Sequence, residues 1–146
     1  MTKDSYYIGI AEAVSKKSTC LEKHYGAVIV KNDRIASTGY NGAPAHEFHC
    51  IVCTKVCSAK DESAYTSCRS VHAEMNAIIS ASKEEMQDAT LYLAGFVAKT
   101  EKEIIAEPCD ICLRLIKNAG IAKVINKKGV LYSRNNLGIL EKVRQE

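Results

Sequence analysis

The spacing of apolar residues in the first half of the chain predicts one helix and one hairpin. Apolar residues recur at helical spacing within 4–17, which predicts a short amphipathic helix. The run 25–30 is rich in β-branched residues, turn-forming residues follow it, and 34–40 is expected to return as a partner strand, so we predict an antiparallel hairpin. Residues 41–69 follow neither period. A segment of that length without regular structure is unusual in a compact domain unless function or a cross-link fixes it.

The second half of the chain alternates helices and strands. We predict a helix over 70–83 with Ser70 as its N-cap, and another over 109–118 with Gly120 just beyond its end. The remaining predicted elements are strands at 89–96, 122–127 and 130–133, a hairpin or excursion at 97–106, a tight turn at 128–129 and a final helix at 136–145. This order indicates an α/β fold, a mixed sheet with helices on its faces, in a single domain over 1–146.

Charge and cysteine content narrow the class of protein. The 20 Lys and Arg against 17 Asp and Glu give a net charge of +3, and the basic residues are scattered, which argues against nucleic-acid binding as the main function. We find neither an apolar run of the roughly 20 residues that span a bilayer nor a signal-peptide pattern. The 7 cysteines, an odd number, fit a disulfide framework poorly, so we predict a cytoplasmic chain whose clustered thiols bind metal.

Two motifs are predicted to build one metal site. They are His72-Ala73-Glu74 and Pro108-Cys109 followed by Cys112. Cys109 and Cys112 are one helical turn apart and therefore face one ion, at a helix start whose positive end favours thiolates. His72 and Glu74 would diverge by roughly 200° inside a helix, because an α-helix has about 3.6 residues per turn. They can share a site only at the tip of a helix.

The ligand set indicates catalysis rather than a structural role. Two thiolates and one imidazole leave zinc one protein ligand short of the four that structural sites use. Zinc lowers the pKa of bound water to about 7, and Glu74 is predicted to move the protons. H-x-E…P-C-x-x-C is the signature of zinc deaminases, so we predict hydrolytic release of ammonia from an aminopyrimidine or aminopurine. A non-catalytic zinc-binding module is the alternative, and the unligated Glu74 argues against it.

At these motifs the chain resembles the cytidine and deoxycytidylate zinc deaminase superfamily. It is most similar to the deoxycytidylate (dCMP) deaminase branch, at residues 17–20 (KSTC), 26–30, 37–44, 72–78 and 89–93. The resemblance implies a cytidine-deaminase-like three-layer α-β-α sandwich around a mixed sheet of four to five strands. It also implies zinc-dependent conversion of dCMP to dUMP and ammonia, catalysed by Glu74 with zinc on His72, Cys109 and Cys112.

The resemblance further implies two substrate-binding residues and several partners. Asn41 would bind the nucleotide near the metal, although a turn-forming Asn explains it almost as well. Lys83 stands where some members carry a basic residue for phosphate or effector binding, and a solvated surface lysine is its simpler interpretation. A homo-oligomer, either a dimer or a hexamer, and a dCTP or dTTP effector are implied as well.

Two stretches depart from the branch. The segment 94–107 is longer than is usual there, so the rim of the pocket is expected to differ. Only 19 residues follow Lys127, while a crossover to a further parallel strand needs a dozen or more. We therefore expect an antiparallel return after the turn at 128–129.

The remaining cysteines suggest a second zinc, which some members of the branch carry for structure. The resemblance places its ligands at Cys20, Cys50 and Cys68. Cys57 is the chosen fourth ligand, because four ligands close a structural tetrahedron, and Cys53 is the rival, because Cys50-x-x-Cys53 has knuckle spacing. Buried apolar cysteines or free thiols are the alternative.

Other substrates of the same chemistry stay open. They are another cytosine or guanine nucleoside, a free base, and an adenosine in tRNA. A tRNA enzyme would need a basic face and aromatic stacking residues. With no Trp, 2 Phe and a net charge of +3, the chain does not favour that interpretation.

Overall fold

Helices and strands alternate along residues 1–53 and 68–146, which are the residues that the computed structural model describes. The helices are α1 (Lys3–Ser15), α2 (Ala73–Ile79), α3 (Lys83–Met86) and α4 (Asp110–Ala119). The strands are β1 (Lys23–Lys31), β2 (Arg34–Tyr40), β3 (Thr90–Val97), β4 (Glu103–Ile104), β5 (Lys123–Asn126), β6 (Gly129–Arg134) and β7 (Leu140–Lys142). None of the helices in these ranges has the length and apolarity needed to cross a lipid bilayer.

The strands form one mixed sheet. Its order is β2-β1-β3-β5-β6-β7, and β4 pairs with β3 outside that path. β3 and β5 are parallel, whereas the other pairs are antiparallel. The mixed sheet, the first hairpin and the antiparallel return after β5 are therefore confirmed. The expected strand number was too low, since the described residues form seven strands; the two short strands β4 and β7 account for the difference.

The predicted final helix over 136–145 is wrong, because the chain turns back there as β7. The side chain of Asn135 explains the turn: its Oδ1 accepts hydrogen bonds from the backbone N–H groups of Leu137 (2.9 Å) and Ile139 (3.0 Å). Gly138 adopts a φ of 78°, which closes the turn. Such local side-chain bonds compete with a helix. Leu140 then reaches the core, where it is 5% exposed.

The predicted helix over 70–83 is two helices, and Ser70 is not its N-cap. Val71 forms a β-bridge with Gly42, with N···O distances of 2.7 and 3.2 Å, which holds the chain extended at that point. α2 therefore begins only after His72, its N-cap residue. Ser82 starts α3 in a capping box with Glu85 and so separates the two helices.

The sheet lies between two layers of helix, as the resemblance implied. Alternate residues of a strand face opposite sides, so Val28 and Val30 pack with α1, while Ala27 and Ile29 pack with α2 and α4. The first layer is anchored by Tyr7, Ile8 and Ala11, and the second by Ala73, Ala77 and Ile116. The predicted three-layer sandwich is confirmed, and its second layer holds the helices that begin at the two motifs.

A close backbone approach fixes α2 on the sheet. A Cβ at Gly39 would lie 2.4 Å from the carbonyl oxygen of Ala73 and 2.4 Å from the amide nitrogen of Ala77. The first turns of α2 therefore rest directly on β2, with no room for a side chain between them. This contact sets where the N-terminus of α2 lies.

We predict that Gly39→Ala lowers the free energy of unfolding by roughly 1–3 kcal/mol, because overpacking a tight contact has costs of that size. Gly9→Ala is the matched control. A Cβ at Gly9 would meet nothing in the described structure within 4 Å, and replacing glycine inside a helix gains roughly 0.5–1 kcal/mol. Urea unfolding of the two variants measures both effects. Equal stability of the two variants would contradict the close approach.

Candidate metal centre and active site

The starts of α2 and α4 bring together three side chains of types that bind metal ions. His72 is the N-cap residue of α2, and its backbone is extended. Cys109 is the N-cap residue of α4, and its Sγ accepts a hydrogen bond from the backbone N–H of Cys112 at 3.4 Å. His72, Cys109 and Cys112 therefore meet where two helix N-termini converge, as their spacing predicted. The positive ends of both helices favour thiolates there.

The distances between the ligand atoms fit a zinc ion. The Nδ1 of His72 lies 3.2 Å from the Sγ of Cys112 and 3.5 Å from that of Cys109, and all three atoms lie within 4.8 Å of one another. Ligand atoms around a tetrahedral zinc stand roughly 3.5 Å apart, given Zn–S and Zn–N bonds of about 2.3 and 2.0 Å. Two sulfurs and an imidazole nitrogen are also donors that zinc prefers. The residues present therefore fit zinc.

Glu74 lies beside this group and is buried. It is the second residue of α2 and is 5% exposed. Burial raises the pKa of the Glu74 carboxyl, although a hydrogen bond with Cys112 works in the opposite direction. Burial and the nearby Glu74 charge also raise the pKa of the Cys112 thiol. Glu74 and Cys112 are thus two buried neighbours that each become anionic on losing a proton. A cation bound beside them would stabilise their charged forms.

Asn41 is buried at the end of β2, and its side chain is committed to β1. Its Oδ1 accepts a hydrogen bond from the Tyr25 backbone N–H, and its Nδ2 donates to the Lys23 carbonyl, both at 2.8 Å. Its backbone carbonyl accepts a 2.8 Å hydrogen bond from Ser18 Oγ. An amide side chain offers two donors and two acceptor lone pairs. These contacts therefore use half of its capacity and fix its orientation.

Lys83 lies at the far end of α2 from His72. It is the first residue of α3, and its side chain is exposed. The seven residues of α2 span roughly 10 Å at about 1.5 Å per residue. The structure thus places Asn41 beside Gly42, which forms the bridge to Val71 just before α2, and leaves Lys83 on the surface.

Four of the other cysteines line one cavity of about 30 Å³: Cys20, Cys50, Cys53 and Cys68. Arg69 donates to the Sγ of Cys50 at 3.5 Å. Within residues 1–53 and 68–146, the set with three ligand atoms in mutual reach is that of His72, and these four thiols do not form another. Cys57, the chosen fourth ligand, lies outside the described residues.

Tyr25 is a neighbour of the site that the sequence did not single out. Burial raises the pKa of its hydroxyl, and the charges of Glu74 and Cys20 add to that shift. The ring has room because its cross-strand partner is Gly95, where a Cβ would lie 2.5 Å from it. Tyr25 is therefore close enough to Glu74 and to Cys20 to be affected by the charge of each. The signal was a tyrosine opposite a glycine, which is visible only once the β1–β3 register is known.

Comparisons with known proteins agree with the site. Residues 1–128 match the family model described as the cytidine and deoxycytidylate deaminase zinc-binding region. A deoxycytidylate deaminase of Mycobacterium phage D29 is 37% identical over 131 residues, covering 86% of this chain and 94% of that protein. A deoxycytidylate deaminase of Saccharomyces cerevisiae is 30% identical over 141 residues, 94% of this chain, and the match spans 41% of the yeast protein.

Solved structures show the same architecture. The apo dCMP deaminase of cyanophage S-TIM5 superposes with a TM-score of 0.61 at 26% identity, covering 84% of this chain and 80% of that one. The same cyanophage enzyme in complex with dCMP and dUMP gives a TM-score of 0.55 at 25% identity, covering 84% of this chain and 78% of that one. The similarity thus extends over most of both chains.

Proposed function

The chain belongs to the cytidine and deoxycytidylate deaminase family, and from this we propose that it converts dCMP to dUMP and ammonia by zinc-dependent hydrolysis. It is a hydrolase that acts on the C–N bond of a cyclic amidine. The observation that supports this best is the meeting of His72, Cys109 and Cys112 beside the buried Glu74. The choice of dCMP is supported by the phage relative's name and by the ligands of the cyanophage structure.

We propose that His72, Cys109 and Cys112 hold the zinc. When bound, Zn²⁺ acts as a Lewis acid that lowers the pKa of water to about 7 and so supplies a nucleophile at neutral pH. The two helix N-termini stabilise the thiolate forms of the cysteines. Placing the ligands on two helix starts rather than on one loop keeps their spacing fixed.

Glu74 is the proposed proton carrier. A carboxylate oxygen of Glu74 takes a proton from the attacking water and delivers it to the ring nitrogen next to the amine-bearing carbon. The water oxygen bonds to that carbon, and Glu74 then takes the proton of the resulting hydroxyl group and passes it to the exocyclic amine. The C–N bond breaks, ammonia leaves and the carbon becomes a carbonyl. Burial of Glu74 supports this role, since a carboxyl group with a raised pKa holds the transferred proton more readily.

Asn41 and Lys83 are the proposed substrate-binding residues. The contacts with β1 use one donor and one acceptor position of the Asn41 amide. The other donor and acceptor position support a hydrogen bond to the nucleotide. Lys83 has the charge for a phosphate, but its exposed place beyond α2 favours an ordinary surface lysine.

Replacing Glu74 by Gln separates catalysis from metal binding. We expect kcat to fall by roughly 10²–10⁴, the usual contribution of general acid–base catalysis, while zinc content and urea unfolding stay close to those of the unchanged protein. Glu84→Gln, an exposed change on α3, is the matched control and should leave kcat unchanged. If Glu74→Gln keeps its activity within about tenfold, the proton-transfer role is wrong.

Ammonia release tests the substrate. We compare dCMP with CMP, cytidine, cytosine, guanine and a tRNA anticodon stem that presents an adenosine, and expect the highest kcat/KM with dCMP. The zinc-loaded Glu74→Gln variant provides the blank. Turnover of another compound without turnover of dCMP would overturn the substrate, and no turnover of any of them would favour a non-catalytic zinc-binding module.

We also propose a second, structural zinc held by cysteines of the cavity. Cys20, Cys50 and Cys68 are the proposed ligands, with Cys57 as the fourth and Cys53 as its rival. The cavity that Cys20, Cys50 and Cys68 share supports this. Metal-binding energy would then contribute to folding around a segment with few apolar residues.

Metal analysis counts the ions. We expect about two zinc per chain in the unchanged protein and about one in Cys109→Ser, because structural and catalytic zinc use separate ligands. Cys50→Ser should also lose one zinc but keep the ion that turnover requires. About one zinc per chain in the unchanged protein would remove the second site and leave the first.

Domain extent, cellular location, oligomeric state and effector binding are predicted from the sequence alone. The single domain over 1–146, a cytoplasmic location, a homo-oligomer and a dCTP or dTTP effector stay predictions. The odd number of cysteines supports a reducing compartment, and the resemblance supports the oligomer and the effector.

A further inference from the structure

The segment that leads into Cys109 is held by a buried amide on the neighbouring strand. Ala106 is 1% exposed, and its carbonyl accepts a 2.9 Å hydrogen bond from the Nδ2 of Asn126. Asn126 is the last residue of β5 and is itself 1% exposed. A polar side chain buried to this degree is costly unless it is hydrogen-bonded. The interaction thus ties the entry to α4 firmly to the sheet.

The amide of Asn126 is fixed in one orientation by its other partners. Its Oδ1 accepts from the Lys128 backbone N–H at 3.0 Å and from the Nε2 of Gln145 at 2.8 Å. The same Nε2 lies 3.1 Å from the Gly129 carbonyl. Two donors point at the oxygen of Asn126, so a rotation that exchanged its oxygen and nitrogen would lose them and turn its oxygen toward the Ala106 carbonyl. The Nδ2 of Asn126 also donates to the Oε1 of Gln145 at 3.4 Å, so Gln145 contacts both ends of the amide and holds it in this orientation.

Only two residues separate Ala106 from Cys109, and one of them is Pro108. Proline fixes φ near −65°, and Pro108 is buried, so little rotational freedom remains between the anchored carbonyl and the Cys109 backbone. The position of the Ala106 carbonyl therefore constrains the backbone of Cys109, the N-cap residue of α4. Replacing a group that orients a metal ligand typically lowers metal affinity by roughly 10–100-fold.

We infer that Asn126 is a positioning residue for Cys109, acting through the Ala106 carbonyl and held in place by Gln145. The inference rests on the proposed zinc site at Cys109. It assigns to a strand end and to the C-terminal segment a role in metal retention, although neither provides a ligand.

Asn126→Asp is the main test, because it keeps the shape and replaces the donor to Ala106 by a carboxylate oxygen. We load the full chain with zinc and measure its release to a chromophoric chelator together with the loss of turnover, which identifies release of the ion at Cys109. Release is expected to be roughly 10–100-fold faster than in the unchanged protein, with lower kcat and the same KM at saturating zinc. Gln145→Ala keeps Asn126 and is expected to show a smaller increase in the same direction.

Ser15→Ala is the matched control. Ser15 is also fully buried, and its Oγ donates a 2.6 Å hydrogen bond to the Glu12 carbonyl, but it lies on α1, in the layer across the sheet. It should lower stability without changing zinc release, which separates positioning from a general loss of packing.

The outcomes distinguish this inference from the proposed function. If Asn126→Asp folds and releases zinc within about twofold of the unchanged protein, well below the effect expected of a group that orients a ligand, Asn126 does not position Cys109 and the zinc site stands. If Asn126→Asp does not fold, Gln145→Ala decides by the same measurement, and unchanged release overturns the inference. An unchanged protein that binds no zinc at all would overturn both.

Discussion

The convergence of two helix N-termini is the constraint on which the rest of the structure depends. Each start is fixed by its own backbone contact, and neither contact involves a metal ligand. α2 rests on β2 where Gly39 leaves no space for a side chain, and α4 follows a segment tied to β5 through Ala106. The sheet therefore determines the distance between His72 and the two cysteines. The chain needs no loop rearrangement to bring its ligand atoms within 4.8 Å.

Electrostatics explain why these residues suit a cation and little else. Burial raises the pKa values of both Glu74 and Cys112, and the charge of Glu74 raises the pKa of Cys112 further. In a purely structural core, such a pair would be neutral and would be replaced at little cost by apolar side chains. A divalent cation reverses the balance, since it stabilises the thiolates and the nearby carboxylate together. The ligand set and the buried acid are thus parts of one arrangement.

Local pattern and spacing predicted most of the fold and the convergence of His72, Cys109 and Cys112, and they failed where a distant contact determines the structure. The hairpin of β1 and β2, the helix after Cys109 and its end at Gly120 follow from short-range periodicity and turn chemistry. The start of α2 does not, because the Gly42–Val71 bridge that delays it joins segments 29 residues apart in the sequence. The predicted helix over 136–145 is wrong because the side chain of Asn135 accepts hydrogen bonds from the backbone there and turns the chain back.

The same Gly42–Val71 bridge also lies between the cysteine cavity and the site of His72, Cys109 and Cys112. Gly42 and Ser70 line the cysteine cavity, whereas His72, one residue beyond the bridge, faces Cys109 and Cys112. Cys68 therefore precedes, and His72 follows, the residue Val71 whose backbone forms the two hydrogen bonds with Gly42. The segment between β2 and α2 thus supports the metal centre through its two ends, Asn41 at β1 and Val71 at Gly42.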